Sequence, residues 1–155
     1  MKKLIAITIV LVLALAALSA TAETTLTISD MPNIIMEDEN TTIDESMFEG
    51  EWVVDKTFLG EEYIDPNELA ALIRFDFGPI SIGSGTIIQE YTVDGEIKSV
   101  EMPYTFEAGQ LQGECPENGF QYVVEPLEGD GICYSLFVPD EEGNITCATI
   151  FMVRK

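Results

Sequence analysis

Residues 87–106 read IIQEYTVDGEIKSVEMPYTF, and the hairpin written into them sets the architecture. Apolar and polar residues alternate on both sides of Asp94-Gly95, the dipeptide that most favours a two-residue type I′ turn. A period of two turns one face of each strand to a core and the other to water. Ile87, Tyr91 and Val93 therefore line one strand; Val100, Met102, Tyr104 and Phe106 line the next, with Pro103 pointing the other way. Gln89 is the one polar interruption on the inward face of the first of these two strands, either a satisfied core amide or a ligand contact.

The same pattern extends in both directions. Upstream, Glu51 to Leu59 forms a first strand with Trp52, Val54 and Phe58 on one face. Asp65 then supplies an N-cap, Pro66 suits the first helical position, and Glu68 completes a capping box ahead of Leu69, Ala70, Ala71 and Leu72. A second strand with the apolar face Ile73, Phe75 and Phe77 is predicted to stop at Gly78-Pro79. Downstream come a short strand around Leu111, then Phe120-Tyr122-Val124, then Ile132-Tyr134-Leu136-Val138, and a last strand from Ile145 to Arg154. The prediction is an all-β domain over 48–155: an eight-stranded antiparallel up-and-down barrel with one short helix after the first strand. Consecutive hairpins favour the meander, and closure removes exposed sheet edges.

The N-terminus has a different character. Met1-Lys2-Lys3 precedes an apolar run from Leu4 to Leu18, which fits the core of a signal peptide and is short of the roughly 20 residues that span a bilayer. Ala20-Thr21-Ala22 is a small-x-small site, so cleavage is expected after Ala22, giving a secreted protein with no membrane insertion once 1–22 is removed. No Cys lies at the junction to carry a lipid anchor. Residues 23–47 are rich in acids without one base after Glu37, and the reading for 23–47 is a mostly flexible acidic leader.

Composition excludes several function classes. The chain has 155 residues, 28 Asp and Glu against 7 Lys and Arg, and a formal charge of −21, which becomes −23 on losing Lys2 and Lys3. Nucleic acid binding depends on clustered bases, so no nucleic acid partner is expected. Such a surface is repelled by anionic membranes; it reads first as a solvated acidic coat and second as an attractor of cations or cationic partners. With no His, neither a Ser-His-Asp nor a Cys-His site can be built, and zinc is not expected without Cys-x-x-Cys. With so many acids a carboxylate pair such as Glu61 and Glu62 is uninformative about hydrolysis. The expectation is a non-enzyme with no metal or cofactor.

Gly50-Glu51-Trp52 and Phe151-Met152-Val153-Arg154 resemble the opening and closing strands of secreted bacterial lipocalin-like (calycin-type) small barrels, over roughly Phe48 to Lys155. In that family a Gly-x-Trp packs against a basic residue of the final strand. The resemblance implies Trp52 stacked with Arg154 at one barrel end, a cation–π pair worth about 0.5–2 kcal/mol. It also implies a barrel that holds one small apolar ligand, with Tyr91, Gln89, Tyr104, Tyr122 and Tyr134 as candidate contacts. Absence of the later lipocalin signatures, and a helix early rather than late in the chain, depart from the larger members.

Two functional readings stay open. Ten aromatics read as inward (Phe58, Phe75, Phe77, Tyr91, Tyr104, Phe106, Phe120, Tyr122, Tyr134, Phe151) can line an apolar pocket or plug the barrel. The first gives a ligand-binding barrel; the second gives a structural or protein-interaction module. Cys115, Cys133 and Cys147 are an odd set. If Val138 pairs with Ile145, Cys133 faces outward opposite Ile150 and Cys147 faces inward opposite Leu136, so a Cys133–Cys147 bridge needs a register shift. Cys115 with Cys133, or three free thiols, are the alternatives.

Overall fold

A computed structural model of the chain describes residues 26–73, 78–93, 95–140 and 142–155. The expected signal peptide and its cut after Ala22, together with Phe75, Phe77 and Asp94, lie outside the described residues.

Among the described residues nine strands follow in chain order: β1 (Gly50–Leu59), β2 (Glu62–Ile64), β3 (Ile80–Gly83), β4 (Thr86–Val93), β5 (Glu96–Glu107), β6 (Gln110–Glu114), β7 (Gln121–Leu127), β8 (Gly131–Pro139) and β9 (Ile145–Arg154). Helix α1 (Pro66–Ile73) lies between β2 and β3. Every neighbouring pair is antiparallel, and β9 returns to β1 with Trp52 opposite Arg154, so β1 and β3–β9 close an eight-stranded up-and-down barrel. Strand β2 is an extra arm, folded back on the far end of β1 with Thr57 opposite Ile64.

Local chemistry explains the elements. Val93 pairs with Glu96, which leaves two residues for the β4–β5 turn, and Gly95 adopts φ +81° there. The Asp65 carboxylate accepts the Asn67 N–H at 2.9 Å and starts α1. Of the second strand read from Ile73, Phe75 and Phe77, only Ile73 lies among the described residues, and it is helical. Ile73 ends the helix, and the strand is Ile80–Gly83, which turns Ile80 and Ile82 inward.

A bulge on β1 changes which aromatics face the interior. The pairing with β9 shifts between Val54 and Lys56, after which Lys56 opposes Phe151 and Phe58 opposes Thr149. One extra residue reverses the alternation. Trp52 and Val54 stay inside, whereas Phe58, read as inward, packs outside the barrel with Leu127, Cys133 and Phe151.

The β8–β9 hairpin carries a second correction. Pro139, not Val138, pairs with Ile145, and Cys133 opposes Phe151 while Cys147 opposes Phe137. The Asp140 carboxylate fixes this register by accepting the N–H groups of Glu142 (2.9 Å) and Asn144 (2.8 Å). A one-residue slip exchanges the faces of a whole strand. Ile150 is therefore buried inside, and Phe151 and Cys147 lie on the outer side. Cys115 is in the barrel core and Cys133 outside it, so the two do not bond; all three thiols are free.

Residues 26–47, expected as a flexible leader, lie against the barrel. Leu26, Ile28 and Met31 pack on the outer cluster of Phe58, Leu127, Cys133 and Phe151. Thr27 bridges Glu62 and Ile34 bridges Leu127, while Ile35 N–H donates to the Pro126 carbonyl at 2.8 Å. This strap then passes under the barrel, where Ile43 and Phe48 are buried in the main core. The acids stay on its outer side, so burial of a few apolar groups does not require burying charge.

Candidate functional site

At the end of the barrel that opens β1, the turn Glu45–Met47 brings Phe48 beneath Trp52, whose indole N–H donates to the Phe48 carbonyl at 2.8 Å. The Arg154 guanidinium lies 4.3 Å above the Trp52 ring centre. It also donates to the carbonyls of Glu49 (2.7 Å) and Met47 (3.3 Å) and pairs with Asp130 at 3.1 Å. A planar cation can stack and bridge at once, which an ammonium cannot. Gly50, at φ +132°, passes directly under this guanidinium, and a side chain there would collide with it.

The other end is covered by α1. Leu69 is fully buried in the main core, and Leu59, Ile64, Tyr91, Phe120 and Val138 pack around that core partly exposed. Sequence reading missed both Leu69 and Phe48 as stoppers. The signal for Phe48 was its spacing four residues before Trp52.

The five candidate ligand contacts are spread along the barrel from one end to the other. Tyr122 and Tyr134 meet inside, ring centres 5.6 Å apart. The Tyr122 hydroxyl donates to the carbonyls of Pro103 (2.8 Å) and Met102 (3.4 Å), and the Tyr134 hydroxyl donates to the Met102 sulfur at 3.8 Å. Burial raises both phenols well above their ordinary range. Tyr104 sits at the closed end, donating to Glu45 at 2.9 Å and accepting from Gly85 N–H at 3.3 Å. Tyr91 is at the helix-covered end and donates to Glu117 at 2.9 Å. Gln89 is buried in the wall between Ile80 and Val100.

Gly113 lies between these groups. It pairs with both Tyr104 and Tyr122, and a side chain there would strike the Pro103 carbonyl and the Tyr122 ring. The glycine lets the Tyr122 phenol reach across β6 to β5.

Glu61 and Glu62 stand exposed at the β1–β2 connection. Among the described residues no three His, Cys, Asp or Glu side chains are grouped to hold a metal, and no helix is long and apolar enough to cross a membrane.

The architecture is that of a small closed antiparallel barrel, compatible with the lipocalin-like class. Among known proteins, no family model matches the sequence and no curated relative matches it.

Proposed function

We propose that this is a secreted, non-catalytic interaction module: a lipocalin-like barrel filled by its own side chains and working through its outer wall. The observation that carries this reading is the Tyr122–Tyr134 pair, whose rings cross the interior and whose hydroxyls are both taken by β5. A ligand entering there would have to displace two buried rings and leave two backbone carbonyls without their phenol donor. Phe48 under one end and Leu69 over the other support the same reading. The apolar run Leu4–Leu18 and the Ala20-Thr21-Ala22 site support export.

Native mass spectrometry of the chain recovered from its secretion medium tests both parts. The expected result is a species beginning at Glu23, bare as isolated and still bare after incubation with palmitate or retinol. A one-to-one adduct that is lost on denaturation overturns the filled-barrel reading in favour of an internal apolar ligand. A mass that retains residues 1–22 overturns the export reading.

A further inference from the structure

The outer wall carries a recess where β3 meets β4. Ser81, Gly83 and Ser84 are small, so this part of the wall sinks beside the exposed Ile88, which is 40% accessible. A hollow of about 350 Å3 is lined by Ser81, Gly83, Thr86, Ile88 and Glu101. It adjoins a second of about 80 Å3, which shares Ser81 and Ile88 and reaches Glu51, Glu90 and Lys155.

Strand pairing arranges these groups in a row. Glu51 opposes Ser81, Ser81 opposes Ile88, and Ile88 opposes Glu101. Three strand spacings of about 4.8 Å put the two acids at the ends of the row about 14 Å apart. That matches the span of about 13 Å between residues i and i+4 of an extended peptide, whose alternate side chains all point to one side. Glu90 flanks the row one step along β4. Among the described residues the one cation lining either hollow is the chain's own Lys155, whose ammonium lies 3.0 Å from Glu51 in an exposed ion pair that an incoming base would have to replace.

We infer that this row is a docking surface for an extended basic segment of a partner protein, with the pattern basic-x-apolar-x-basic. The apolar side chain seats on Ile88 over the small residues of β3, and the two bases reach Glu51 and Glu101. Charge complementarity selects the occupant: the chain's formal charge of −21 raises the rate of encounter with any cation, and the apolar seat between two acids fixes the register. This inference rests on the outer wall being the working surface. A ligand found inside the barrel would sink that broader reading without moving the peptide result.

The test titrates the full mature chain with the capped peptide Lys-Ser-Leu-Ser-Lys, reading backbone amide shifts. Shifts concentrated at Ser81, Ile88, Glu90 and Glu101 are expected. The double variant Glu51→Gln/Glu101→Gln should weaken binding at least about tenfold, equivalent to one factor of ten in Kd. The double variant Glu61→Gln/Glu142→Gln, which removes the same charge elsewhere, should change it less than about twofold. Ile88→Ser should also weaken binding, with the amide spectrum of each variant reporting that the barrel is intact. Shifts spread over the whole acidic surface, or equal losses in the two double variants, overturn the proposal. So does tighter binding at the strap or at the β8–β9 hairpin.

Discussion

Glu125 lies on the outward side of β7, opposite Cys133, where burial raises its carboxyl above the ordinary range. Folding thus penalises its charged form. The stability linked to this group is fully present below the unfolded value and is lost as pH rises through the higher folded value. Glu125→Gln is therefore expected to raise the thermal midpoint at pH 7, and the gain should vanish by about pH 3.5, below the unfolded value for Glu. Thermal melts at the two pH values check this; a gain of equal size at both would refute the linkage. Inward and outward assignments were legible wherever alternation ran unbroken, as at Val100, Met102 and Tyr104. They were not legible at Phe58 and Phe151. A single inserted residue at Asp55 and a turn closed by the Asp140 carboxylate set those two positions, and neither leaves a mark on hydrophobic period.

At the scale of elements, β3 depends on a close approach just before it begins. Gly78 runs so near β4 that a side chain there would strike the Glu90 carbonyl, while the neighbouring Pro79 carbonyl accepts the Glu90 N–H at 3.1 Å. Gly78→Ala should cost about 1–3 kcal/mol by forcing two backbones apart. Gly83→Ala, with open space around it, should fall within about 0.5 kcal/mol. Chemical denaturation of both variants separates backbone crowding from a general intolerance of the strand. Helix α1 was readable because Asp65-Pro66 carries its own start signal. The four-residue strand after it was not, because Ile80 and Ile82 sit between two glycine-bearing turns and too few residues alternate to register as a strand.

For the whole molecule, the strap is the part least visible in composition. Charge density along 23–47 argues against a core, yet Leu26, Ile28 and Met31 pack on the outer cluster of Phe58, Leu127, Cys133 and Phe151. A chain lacking residues 23–35 should lose about 2–4 kcal/mol, from three partly buried apolar side chains at roughly 1 kcal/mol each plus the strap's backbone bonds. Its Cys133 should also become reactive toward a thiol reagent. In the intact chain that thiol is 2% accessible and pushed up to about 11 by burial, so it should stay silent near neutral pH. Equal labelling rates with and without the strap would contradict this account. The β1–β9 seam has a consequence of another kind. Arg154 reaches back to Glu49, 105 positions earlier, so the ring cannot shut until its last strand has left the ribosome. Until then β1 waits with an open edge and Trp52 without its cation. The long loop to be closed makes slow folding the expected behaviour.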